Sequence, residues 1–80
     1  MAKYHVLLFA QLVESFGGTR SLTVELPEPT TAAALRRAIV QTHGALPPGV
    51  VVAANNRYVD ETHELFAEDE IALIPPVSGG

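Results

Sequence analysis

The sequence predicts an α+β domain, a mixed sheet with one main helix packed across a face, and three features carry that expectation. Residues 4–10 are almost uninterruptedly apolar, residues 32–43 alone show helical periodicity, and apolar β-branched segments return after them. Eighty residues are enough for one core and too few for two.

Tyr4-His5-Val6-Leu7-Leu8-Phe9-Ala10 reads as a strand buried on both faces, hence central in the sheet. Ser15-Phe16-Gly17-Gly18-Thr19 turns the chain, and Arg20–Leu26 then alternates, with Leu22, Val24 and Leu26 on one face, as the half-exposed partner in a hairpin. Pro27-Glu28-Pro29 ends that strand because proline has no ladder donor. Thr31 is placed to cap a helix over Ala32–His43, whose inner side carries Leu35, Ala38, Ile39 and Thr42. Gly44 suits the residue beyond a helix end, and Leu46-Pro47-Pro48-Gly49 cannot prolong the helix. Val50–Ala54 is a third strand, Asn55-Asn56 a tight turn tolerant of positive φ, and Arg57–Val59 a short return strand. Residues 60–69 form a polar loop anchored by Leu65 and Phe66; Glu70–Ile74 is the last strand, ended by Pro75-Pro76. In so small a chain that order fits a β-grasp (ubiquitin-like) roll over residues 1–74, with a flexible Gly-Gly tail over residues 75–80.

Composition excludes several functions. A formal net charge of −4 argues against nucleic acid, whose binding rests on neutralising phosphates. The longest apolar runs fall far short of the roughly 20 residues that span a bilayer, and the first residues lack a signal-peptide pattern, so a cytoplasmic protein is expected. All five basic residues (Lys3, Arg20, Arg36, Arg37, Arg57) precede Tyr58, whereas Asp60, Glu61, Glu64, Glu68, Asp69 and Glu70 follow it. That acidic region either solvates a loop or steers this end of the chain towards a basic partner. With no cysteine there is no disulfide, thiolate nucleophile or thiolate metal site.

The body of the domain shows no catalytic constellation. His5, His43 and His63 fall on different elements, so no metal site is predicted, and the carboxylates of residues 60–70 lack a calcium-loop pattern. Ser15, Ser21 and Ser78 have no evident His partner, and Gly17-Gly18 is not a phosphate loop. The end of the chain differs. Val77-Ser78-Gly79-Gly80 follows a stiff proline pair, and glycine, lacking Cβ, can thread a narrow channel and present the Gly80 carboxylate to a buried site. Such a carboxylate reacts once activated, for instance as an acyl adenylate made by a partner.

Pro75-Pro76-Val77-Ser78-Gly79-Gly80 directly follows Asp69-Glu70-Ile71-Ala72-Leu73-Ile74, and Leu8-Phe9-Ala10, Glu14, Thr31, Leu35-Arg36, Ala54-Asn55 and Leu65 precede it in order. On these residues the whole chain resembles the ubiquitin-like sulfur carriers, in particular the small, sulfur-carrier subunits of molybdopterin synthases. The resemblance implies a non-catalytic protein cosubstrate that binds no cofactor. Gly80 is adenylated by an activating enzyme at the expense of ATP, converted to a thiocarboxylate, and donates sulfur to a pterin precursor in molybdenum cofactor biosynthesis. The implied partners are that enzyme and the large synthase subunit, which carries the catalytic residues in a heterotetramer. Pro75, Pro76, Val77, Ser78 and Gly79 would enter the partner, and Phe9 and Ile74 would supply the apolar part of the docking surface. Two positions depart from the pattern, in which Arg is common where Val13 stands and Gly where Glu68 stands. A partner ion pair at the end of the first strand is thereby put in doubt, and Glu68 must take a turn conformation suited to glycine. Alternatives are a sulfur carrier for thiamin or tRNA thiolation, a ubiquitin-like modifier joined through Gly80 to lysines, and a binding module with an inert tail.

Overall fold

In the computed structural model, which describes residues 1–76, strand β1 (Ala2–Leu8) pairs antiparallel with β2 (Ser21–Leu26), from Ala2 opposite Leu26 to Leu7 opposite Ser21. Between them lies a short helix α1 (Gln11–Ser15), and β3 (Thr30–Thr31) then leads into α2 (Ala32–His43). The returning half comprises β4 (Val51–Ala54), β5 (Arg57–Tyr58), β6 (Glu64–Leu65) and β7 (Ile71–Ile74). The main sheet has the order β2-β1-β7-β4-β5, with β7 parallel to β1 and antiparallel to β4. This is the mixed sheet and crossing helix of a β-grasp roll.

The start of α2 is tied down three times. Thr31 Oγ1 accepts from the Ala34 N–H at 3.1 Å, as the sequence predicts. The Ala32 and Ala33 N–H groups donate to the carbonyls of His63 and Glu61, both at 3.0 Å. These contacts satisfy donors that a helix start otherwise leaves orphaned. Leu35 and Ile39 then pack, fully buried, with Tyr4, Val6 and Leu8 of β1, Val24 of β2, Val52 of β4, and Ile71 and Leu73 of β7. Each large aliphatic side chain so buried contributes about 1.5–3 kcal/mol before entropy is counted.

Several expectations are corrected. β1 is central, but it is covered on one face only: Tyr4, Val6 and Leu8 are buried, Lys3 and His5 are exposed, and Leu7 is half-buried. With the helix on one side of the sheet, the other side has no layer. Thr42 is exposed on α2, its hydroxyl donating back to the Ala38 carbonyl at 2.8 Å. Phe66 does not anchor its loop, since it is 42% exposed; Leu65 alone is buried there. The predicted connection at Ser15–Thr19 contains the unforeseen α1, whose Leu12 enters the core, and the polar loop of residues 60–69 contains β6, paired with β3 as Thr30 opposite Leu65. Glu68 lies in a turn closed by Phe66 O and Asp69 N at 2.9 Å, without the positive φ that would favour glycine. Asn55 and Asn56 do take positive φ, 54° and 68°, at the β4–β5 turn.

Candidate functional site

Because β7 sits between β1 and β4, the chain leaves the sheet from its middle rather than from an edge. The parallel register sets Val6 beside Ile71 and Leu8 beside Leu73, so its continuation sets Phe9 beside Ile74. These two predicted docking residues are therefore neighbours at the end where the chain departs. Pro75 is half-buried and Pro76 exposed, and neither can donate to the ladder that ends at Val51 opposite Ile74. The predicted site residues Val77, Ser78, Gly79 and Gly80 lie outside the described residues.

The uncovered side of the sheet forms a broad apolar surface next to this exit. Leu7, Phe9, Ala53, Tyr58, Ala72 and Ile74, with Asn56 and Glu70, line a depression of 280 Å³. Ala53 lies opposite Ala72, and these small side chains sit among the larger Leu7, Phe9, Tyr58 and Ile74. Phe9 is 46% exposed and Tyr58 73% exposed, large fractions for side chains that water does not favour. Sequence reading found Phe9 and Ile74 but missed Tyr58, Val51, Leu7 and Ala72. The signal available was the alternation of each strand, which puts Leu7, Val51, Ala72 and Ile74 on the side opposite the helix. A second depression, lined by Leu7, Leu8, Phe9, Ala10, Val13, Glu14 and Arg20, adjoins the same Phe9. Arg20 thus stands in the same depression as Val13.

The acidic segment is partly structural. Asp69 accepts the Phe66 N–H through Oδ2 at 2.8 Å and the Asn55 amide through Oδ1 at 3.1 Å. Asn55 Oδ1 in turn accepts the Glu70 N–H at 3.0 Å, and the Asn55 N–H donates to the Glu70 carbonyl at 2.8 Å. Three of these bonds staple Asn55 of the β4–β5 turn to Asp69 and Glu70 ahead of β7, and the fourth closes the loop before it. Asp60 accepts from the Thr62 hydroxyl at 2.8 Å and from its N–H at 3.0 Å, which holds its carboxyl below the usual range. Glu61 faces Arg36 at 3.8 Å, an exposed pair of small energetic weight. Among the described residues no three His, Cys, Asp or Glu side chains gather as a metal site, and no helix is long and apolar enough to cross a membrane.

The model of the ThiS family matches residues 6–80. The chain belongs to the ThiS family. Its relatives include the molybdopterin synthase sulfur carrier subunit of Drosophila yakuba, 42% identical over 95% of this chain and 89% of that protein. The subunit of the same description from Homo sapiens is 34% identical over 100% of this chain and 97% of its own. Among solved structures, that of small archaeal modifier protein 1 from Haloferax volcanii superposes with a TM-score of 0.78 at 28% identity, covering 96% of this chain and all of that one.

Proposed function

We propose that this chain is the sulfur-carrier subunit of a molybdopterin synthase, a protein cosubstrate whose reacting group is the Gly80 carboxylate. The observation that carries the reading is the near-full-length likeness to sulfur carrier subunits of that synthase, joined to a Pro-Pro-Val-Ser-Gly-Gly run directly after the central strand. In an activating enzyme, a Gly80 carboxylate oxygen attacks the α-phosphorus of ATP, pyrophosphate leaves, and an acyl adenylate results. Hydrosulfide then attacks the carbonyl carbon and expels AMP, leaving a thiocarboxylate in which one oxygen has been replaced by sulfur. The large synthase subunit receives the tail, and its residues catalyse sulfur transfer to the pterin precursor in a heterotetramer. The apolar sheet face around Phe9 and Ile74 docks on that subunit, while Pro75 and Pro76 restrict the tail before binding and so lower its ordering cost. The reaction takes place in the cytoplasm.

Intact mass tests the reading. The chain incubated with ATP, a sulfur source and its host's activating enzyme should gain the difference between sulfur and oxygen, localised by fragmentation to Gly80. Unchanged mass refutes it. One extra residue beyond Gly80 should abolish loading, and Gly79→Val should slow transfer by adding bulk to the threading tail. A second reading, attachment to protein lysines, is favoured by the likeness to small archaeal modifier protein 1, and high-mass conjugates in host lysate would support it.

A further inference from the structure

The β4–β7 pairing sets Val51 opposite Ile74, and its continuation brings Gly49 opposite Pro76. Pro76 has no N–H to donate to the ladder, so its ring contacts help to fix the chain as it leaves the sheet. Gly49 has φ of 86°, and a Cβ built on it would lie 3.0 Å from Pro76 Cβ and 3.4 Å from Pro76 Cγ. The former is tighter than nine in ten real Cβ contacts, so the proline ring would have to give way by a few tenths of an ångström. Gly17, Gly18 and Gly44 also have positive φ, yet nothing lies within 4 Å of a Cβ at any of them. Among the described glycines, only at Gly49 does the missing side chain leave room for another residue.

From this geometry we infer that Gly49 is a positioning residue for the reactive tail: its bare backbone seats the Pro76 ring and thereby fixes where the chain leaves the sheet at Pro76. The loop before β4 offers that seat rigidly, since Pro47-Pro48 precedes Gly49 and Val50, 2% exposed, is anchored in the core immediately after it. A side chain at position 49 would displace the ring and so shift the point at which the chain leaves the sheet at Pro76. Misplacement of a reacting group by about 1 Å can cost as much as 100-fold in rate, so even a modest change of aim matters. The inference rests on the sulfur-carrier reading and adds to it a residue outside the tail and outside the docking face.

The test combines steady-state loading by the activating enzyme with a double-substitution cycle. Gly49→Asn is the main variant, because asparagine accepts positive φ while its Cβ still meets Pro76. Gly49→Ala adds backbone strain and serves as comparison. Circular dichroism establishes folding at the assay temperature. Gly49→Asn should lower kcat/KM for loading about tenfold, whereas in a Pro76→Gly background, where the ring is gone, the same substitution should change it less than about twofold. In the free wild-type chain, nuclear Overhauser contacts between the Gly49 Hα protons and the Pro76 ring should be observed. Equal effects of Gly49→Asn in both backgrounds, unchanged loading by a folded Gly49→Asn, or absence of those contacts would each overturn the seat. If the wild-type chain itself is never loaded, the sulfur-carrier reading fails and takes the positioning role with it. That outcome is distinct from normal wild-type loading with an indifferent Gly49 variant.

Discussion

Tyr4 is fully buried in the middle of the domain, yet it carries a hydroxyl. That hydroxyl donates to the Leu65 carbonyl at 3.1 Å and lies 3.4 Å from the Pro27 carbonyl, linking β1 to the small β3–β6 sheet. Tyr4→Phe keeps the ring and removes the donor. Losing one good neutral bond, with the longer contact counting little, costs about 1 kcal/mol. For a domain of this size that lowers Tm by about 4–8 °C near neutral pH. The pH dependence is more diagnostic. Burial, followed by the nearby charges of Glu28 and then Asp69, raises the Tyr4 pKa above its ordinary value of 10.0. A group whose pKa is raised on folding stabilises the fold fully below its unfolded pKa, and that stability is lost as pH rises through the folded one. Wild type should therefore lose stability above about pH 10 by up to about 1.4 kcal/mol per pH unit from this residue, while the Phe variant does not. The difference between the two should narrow between pH 9 and pH 11, by urea unfolding at each pH. A constant or widening difference across that range would refute the placement of the Tyr4 hydroxyl.

Three other expectations follow from the same contacts. Thr31→Ala removes the cap on Ala34 and should cost about 1 kcal/mol in chemical denaturation, whereas Thr31→Ser should recover most of it. Asn55→Ala breaks the side-chain bonds to Asp69 and Glu70 and puts alanine at a φ of 54°; a loss of about 2 kcal/mol is expected, and less than about 0.5 would show that the staple carries no weight. Phe9→Glu lies on the open face, so Tm should fall by only a few degrees, while affinity for the large synthase subunit should drop about tenfold or more in titration calorimetry. Undiminished affinity would remove Phe9 from the docking surface.

The order of elements could be read from the chain because it rests on local signals: the cap at Thr31, the prolines at 27 and 29, the Asn55-Asn56 turn and the periodicity of α2. The reading of β1 failed instructively. Leu7 and Phe9 look like core residues, since apolarity in sequence does not distinguish a face meant for a helix from a face meant for another protein. The short elements α1, β3 and β6 escaped notice for a different reason. None has local periodicity to announce it, and each exists because of distant contacts, through buried Leu12 in α1 and through Leu65 opposite Thr30.

Sequence alone determined the side-chain chemistry available: no thiol, no evident catalytic constellation, and a Pro-Pro-Val-Ser-Gly-Gly run with little side-chain bulk after the last strand. Tertiary structure decided where that end is presented. The parallel pairing of β7 with β1 and its antiparallel pairing with β4 are contacts between distant segments. They put the exit in mid-sheet, beside Phe9, over the floor of Ala53 and Ala72, and against Gly49. No local propensity encodes such a register, because it follows from which apolar faces the whole chain can bury together.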